Sequence, residues 1–169
     1  MIIHVINRQN IRRPNNSKIK AALCFFLLKA APETGGRHWS EVSLLLADDE
    51  YIRKIKRQFF DIDCVTDVIS FSSFPRPAGD KCRAAEIAVN VERACLEGGR
   101  RGGLDHEFAL YLAHGCDHLA GHGDRTIKAR QRMRRRELRW LGQATELNLL
   151  TGMFRPAQNT PCDRQAPRG

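Results

Sequence analysis

The densest group of metal-binding side chains lies between Tyr111 and Arg125, in the segment YLAHGCDHLAGHGDR. His114 and His118 are four residues apart, so on an α-helix their imidazoles lie on one face, one turn from each other. Two imidazoles at this spacing can hold one ion, as in the helical part of many zinc sites. The pair therefore predicts a site for one metal ion, with zinc as the expected metal.

Two residues compete for the third ligand position, and the sequence leaves both open. Gly121 and Gly123 are expected to end the helix and turn the chain back, which favours Asp124 as the third ligand. His122 would continue the four-residue spacing and become the ligand if the helix ran on. Three protein ligands leave one coordination position for water, which is the arrangement of a catalytic zinc site.

The glutamate of the HExxH motif is missing, because Gly115 follows the first histidine. In metalloproteases with that motif, the glutamate is the general base. A metal-dependent hydrolase of peptides or of another substrate is therefore a less favoured alternative.

The balance of charge favours a polyanionic partner. The formal net charge is +9 and the sequence pI is about 9.7. Clustered Lys and Arg side chains displace the counterions of phosphates, although a basic surface can also serve solubility alone. A helix is expected from about Thr126 to Leu141, and it carries six arginines: Arg130, Arg132, Arg134, Arg135, Arg136 and Arg139. Such a helix would attract a nucleic-acid backbone without reading its sequence.

Targeting signals are not recognisable in the sequence. The N-terminal apolar residues precede the basic ones, which is the reverse of a secretory signal peptide. No segment approaches the roughly 20 apolar residues that a membrane helix needs. The six cysteines include no Cys-x-x-Cys pair. We therefore expect reduced thiols, a cytoplasmic location and no membrane partner.

Strand and helix signals alternate along the chain. Strands are expected at 2–6, 42–47, 65–71 and 84–91, and helices at about 17–31, 48–60, 92–98, 105–120 and 126–141. This order predicts an α+β fold with a small mixed sheet, in one domain over residues 1–150. The proline-containing segment 151–169 is expected to be a loosely ordered tail.

The expected helix at 105–120 must direct both histidines into the site. A helical wheel places Phe108, Leu112 and Leu119 on the core face, and the two histidines on another stripe. Cys116 is expected to be a small core residue. Asp117 is turned about 100° away from His118 and is expected to face solvent.

Three motifs in sequence order resemble the YbeY family of bacterial metal-dependent endoribonucleases. His114, Gly115, His118 and Gly121 match the family pattern H-G-x-x-H-x-x-G-x-D-H, and Asp124 stands in place of its third histidine. TDVISF at 66–71 and AEIAVN at 85–90 resemble two strand motifs of the family, the second with Glu86 in place of an aspartate. The MRRRE run at 133–137 matches the helix that follows the histidine motif in the family. Together they cover about residues 40 to 140.

The resemblance implies a function and a set of site residues. It implies a single-strand-specific endoribonuclease that acts in ribosomal RNA processing, with an rRNA precursor and the ribosome as partners. It implies zinc ligation by His114, His118 and Asp124, with His114 also serving catalysis. It further implies that the strand after Thr66 and Asp67 borders the active-site cleft.

One departure from the family pattern keeps a second function open. Phe60 stands where the family usually has an arginine important for activity on RNA, and Phe60 cannot bind phosphate. Lys56 or Arg57 are the nearby candidates to replace it. The alternative is therefore a noncatalytic RNA- or ribosome-binding protein that keeps the fold, with or without a structural metal.

Overall fold

A four-stranded mixed sheet with five helices makes up the structure, a computed structural model that describes residues 1–34, 38–72 and 82–155. The elements are β1 (Ile2–Asn7), α1 (Asn16–Ala30), β2 (His38–Ala47), α2 (Asp49–Phe60), β3 (Val68–Ser72), β4 (Cys82–Asn90), α3 (Val91–Arg101), α4 (Leu104–Leu119) and α5 (Ile127–Glu146). The strand order is β1-β2-β4-β3. Strands β1, β2 and β4 are parallel to one another, and β3 is antiparallel to β4. The expected α+β class is confirmed.

Side chains of strand β2 pack into the protein interior on both faces of the sheet. Leu44 and Leu46 point into the main core, while Ala47 joins a second cluster with Ile52 of α2. Successive strand side chains point to opposite faces, so this apolar run serves both clusters. Helix α2 therefore covers one face of the sheet, and α4 covers the other through contacts with β3 and β4.

Helix α4 is buried on almost every side, because it contacts α1, α3 and α5 as well as the sheet. Cys116 lies in the core, as expected. The expectation that Asp117 faces solvent is wrong, since its exposed fraction is 0%. A wheel argument assigns one face of a helix to solvent, but a helix packed on almost every side exposes only a few positions.

Asn90, at the end of β4, ties three segments together near the site. Its side-chain oxygen accepts from the backbone N–H of Arg93 at 3.1 Å and begins α3. Its amide nitrogen donates to Asp49 at the start of α2 at 2.7 Å and to the carbonyl of Thr66 at 3.1 Å. The loop that carries Thr66 and Asp67 is thereby held in place where β3 begins.

The first residues of the expected tail are packed and not loose. Met153 and Phe154 are buried. The carboxylate of Asp105 accepts from the backbone N–H groups of Gly152 at 2.7 Å and Phe154 at 3.2 Å. These bonds dock 151–155 against the start of α4, while residues 156–169 lie outside the described residues. The division of the chain at residue 150 otherwise stays a prediction.

Gly115 lets α4 approach the sheet closely. A Cβ atom there would lie 3.0 Å from Cγ2 of Val68 and 3.2 Å from Cγ2 of Ile87. Both neighbours are β-branched and rotate little. Overpacking costs about 1–3 kcal/mol, against about 1 kcal/mol gained when alanine replaces a helical glycine.

Gly115→Ala is therefore expected to lower the melting temperature. Gly142→Ala is the matched control, since a Cβ on that glycine of α5 meets nothing within 4 Å. The control should gain about 0.5–1 kcal/mol of unfolding free energy. Equal stability of the two variants, measured by thermal unfolding, would show that a methyl group at position 115 fits between α4 and the sheet without strain.

Candidate metal centre

The end of α4 and the turn after it bring three candidate ligands together. Helix α4 ends at Leu119, and Gly121 takes the left-handed conformation with φ of 93°, as the two glycines predicted. The turn returns Asp124 to the helix, where one ligand atom each from His114, His118 and Asp124 lies within 4.8 Å of the others. These three are the residues that the sequence favoured.

The hydrogen bonds of the two histidines leave a lone pair on each facing nitrogen. Nδ1 of His118 lies 3.0 Å from the carbonyl oxygen of His122, which can only accept, so this nitrogen carries the hydrogen. Nδ1 of His114 lies 2.6 Å from Oε1 of Glu137 and likewise carries the hydrogen. In the neutral rings both Nε2 atoms are then acceptors, and they lie only 3.1 Å apart. Two lone pairs at this distance need a cation, either a proton shared between the two rings or a metal ion bound by both nitrogens, so the donor set fits a metal ion.

Glu137 orients His114 from the neighbouring helix α5. Glu137 is buried, with 4% of the residue exposed. Burial would lower the pKa of His114, but the hydrogen bond and the negative charge of Glu137 raise it above its ordinary value. A carboxylate bonded to the outer nitrogen of a histidine fixes the ring and makes it a more basic ligand.

The sequence pattern around Glu137 indicates that this residue is buried against a partner. Its neighbours on the buried face of α5 are apolar, and they are Met133, Trp140, Leu141 and Ala144. An acidic residue within an apolar helical stripe is seldom left without a partner. Its position therefore indicates a buried cation or a hydrogen-bonded histidine opposite it.

His122 is directed to another partner. Its Nδ1 lies 2.7 Å from Oδ1 of Asp117. Asp117 also accepts from Arg136 of α5, with nitrogen–oxygen distances between 2.9 and 3.2 Å. His122 thus joins a buried ion pair that ties α4 to α5, and its backbone carbonyl orients His118.

Two depressions border the candidate ligands. A groove of about 610 Å³ is lined by His118 and Asp124 and extends to Lys56 and Phe60 of α2. A smaller cavity of about 260 Å³ lies on the side of His114 and is also lined by Asp67. The candidate ligands therefore border a groove that Lys56 and Phe60 also line.

Glu137→Gln is expected to weaken zinc binding by about 10- to 100-fold, because glutamine keeps an acceptor for His114 but removes the negative charge. Glu146→Gln, on the exposed end of the same helix, is the matched control and should bind zinc like the unaltered protein. Competition against a chromophoric chelator measures both affinities. Equal affinities would mean that Glu137 does not tune the site.

Comparisons with known proteins found a matching family model, related sequences and a similar structure. The family model described as endoribonuclease YbeY matches residues 4–145. A relative named endoribonuclease YbeY from Moorella thermoacetica is 31% identical over 142 residues, covering 78% of this chain and 90% of its own. One of the same name from Elusimicrobium minutum is 34% identical over 137 residues, covering 79% and 92%. A Thermotoga maritima protein solved in solution shares the fold, with a TM-score of 0.56, 17% identity and coverage of 87% and 92%.

Proposed function

This chain belongs to the endoribonuclease YbeY family, and we propose that it is a metal-dependent endoribonuclease that cuts single-stranded RNA during rRNA processing and ribosome maturation. The observation that carries the proposal is the pair of facing Nε2 atoms of His114 and His118, with Asp124 beside them. We propose these three residues as the ligands of one zinc ion.

The roles of the chain's own residues follow from their positions. A bound zinc ion supplies a water of pKa near 7 and a positive charge for the scissile phosphate. His114 is held in one orientation by Glu137, and His118 by the carbonyl of His122. Asp124 closes the ligand set and lines the groove through which RNA would enter. Side chains held in this way would be pre-organised to bind one ion.

Basic residues supply the attraction for RNA. Five arginines of α5 are exposed, and they are Arg130, Arg132, Arg134, Arg135 and Arg139. They follow the ligand turn directly, so their charges raise the local concentration of a polyanion near the site. An rRNA precursor and the ribosome are the proposed partners, and the cytoplasm is the proposed location. No helix in the described part of the chain is long and apolar enough to cross a bilayer.

RNA affinity is expected to fall steeply with salt. For single strands, log K falls by about 0.7 per log unit of salt for each phosphate contact. Arg132→Gln should therefore reduce the slope by about 0.7 if Arg132 contacts a phosphate. Arg53→Gln is the control, since Arg53 is already paired with Asp63 at 2.9 Å. A flat salt response, measured by fluorescence anisotropy, would remove the electrostatic part of the proposal.

A noncatalytic RNA- or ribosome-binding protein is the second candidate, favoured by the phenylalanine that lines the groove at position 60. Cleavage of a single-stranded rRNA fragment by the unaltered protein and by His118→Ala, purified in parallel, separates the two. Cleavage by the unaltered protein alone supports the nuclease. Binding by both without cleavage favours the second candidate. Digestion of casein would indicate a peptide hydrolase instead.

A further inference from the structure

We propose that Phe60 is a stacking platform for one unpaired base of the bound RNA, placed beside the metal ligands in the same groove. This inference rests on the proposed function and assigns a nucleobase subsite to it. The ligand is a single-stranded nucleotide whose base lies on the Phe60 ring.

The ring of Phe60 is held in place but left open. Phe60 is the last residue of α2, and the helix ends at Asp61 in the left-handed conformation, with φ of 55°. Its ring stacks on Phe71 of β3, with 5.8 Å between ring centroids and 18° between ring planes. Even so, 49% of the residue is exposed. An aromatic ring that is supported by one neighbour and half exposed is pre-organised for stacking.

Phe59 is the natural comparison within the same structure. It is 60% exposed and also contacts Phe71, with 5.1 Å between ring centroids and 55° between ring planes. Phe60 lines the groove that His118 and Asp124 line, whereas Phe59 is not among the residues that form it. Both phenylalanines therefore contact Phe71 and are about half exposed, but only Phe60 lines the groove that the candidate metal ligands line.

The other groove residues match the remaining parts of a nucleotide. Lys56, one turn before Phe60, can pair with a phosphate, and the hydroxyls of Thr66 and Ser70 can bond a sugar or a phosphate. Proteins that bind single strands combine such a basic groove with aromatic side chains on which bases stack. The net charge of +9 and the arginines of α5 favour a polyanion over an apolar peptide as the occupant.

The subsite gives a physical reason for single-strand specificity. A base within a duplex is already stacked on both sides, so it cannot lie on Phe60 without being extruded, which costs a few kcal/mol. Every base has a π-face, so this preference needs no sequence recognition. At position 60, a phenylalanine would thus bind the base of the nucleotide and leave the phosphate to Lys56.

The test measures binding, so that it does not depend on cleavage. The probe is a fluorescent, 2′-O-methylated single-stranded RNA of twelve nucleotides, checked on a gel for integrity after each titration with zinc-loaded protein. Phe60→Ala is expected to weaken binding by about 5- to 140-fold, the value for losing one base stack. Phe60→Trp should bind at least as tightly as the unaltered protein, and Phe59→Ala should bind equally. The slope of affinity against salt should not change, because no charge is removed.

Phe60→Leu separates the loss of the ring from a loss of folding in the alanine variant, since leucine keeps an apolar contact with Phe71 but has no ring. It should also bind weakly. A probe of the same length in which every nucleotide is abasic completes the test. The unaltered protein and Phe60→Ala should bind this probe equally, because it offers no base to stack.

Equal binding by Phe60→Ala and the unaltered protein would overturn the inference, as would equal losses in Phe59→Ala and Phe60→Ala. Cleavage of RNA by the unaltered protein in that case would leave the proposed function standing. Conversely, binding that depends on Phe60 without any cleavage would remove the nuclease and keep the base subsite. Tight binding of an unrelated acidic peptide at Phe60 would assign the groove to a protein partner instead.

Discussion

Asp124→Ala is expected to emerge from purification with almost no bound zinc, whereas His122→Ala should keep about one ion per chain. Asp124 has a ligand atom within 4.8 Å of those of His114 and His118, and without it two imidazoles remain to hold the ion. The imidazole of His122 is bonded to Asp117. In the contacts described above, His122 reaches His118 through its backbone carbonyl, and alanine retains that group.

Elemental analysis of the two variants, purified side by side, measures this difference directly. Asp63→Ala, in the segment after α2, is a control for the loss of a carboxylate away from the ligands, and it should keep its zinc. Zinc retained by Asp124→Ala and lost by His122→Ala would reverse the ligand assignment. His122 would then be the third ligand.

Arg136→Met is expected to lower the free energy of unfolding by about 3–5 kcal/mol, the usual cost of leaving one member of a buried ion pair behind. Asp117 is 0% exposed and is held by the Arg136 guanidinium through both of its oxygens. Methionine keeps the apolar stem but removes the charge. The carboxylate of Asp117 would then have only His122 as a polar partner of those described above.

Urea unfolding of Arg136→Met and Arg139→Met tests this expectation. Arg139 is exposed on the same helix, and its replacement should change the free energy of unfolding by less than about 0.5 kcal/mol. The double variant Asp117→Leu with Arg136→Met should recover much of the loss, since apolar pairs often replace buried ion pairs without cost. A loss below about 1 kcal/mol in Arg136→Met would mean that the Asp117 carboxylate is not isolated from water.

The sequence predicted the parts of the site that depend on local geometry. The spacing of His114 and His118 follows from the helical repeat, and Gly121 ends the helix so that Asp124 turns back. The expected start of a helix near residue 48 is also confirmed, since the side chain of Asp48 accepts from the backbone N–H of Tyr51 and begins α2. The order of the strands was not predictable, because it depends on pairing between segments far apart in the chain.

The residues that sequence reasoning missed act across helices. Glu137 lies 23 positions after His114, and only the packing of α5 against α4 brings them together. Asp117 was misplaced because the wheel takes no account of neighbours on every side of a helix. Phe60 was interpreted only as a missing arginine, since its exposure and its place in the groove are tertiary properties.

Removal and return of the metal test the central claim most directly. The protein is stripped with a chelator and dialysed, and zinc is then added in steps while cleavage of single-stranded RNA and bound zinc are measured on the same samples. We predict no cleavage by the stripped protein, with activity rising in proportion to bound zinc and levelling at about one ion per chain. Full cleavage by protein that holds no metal would contradict the account.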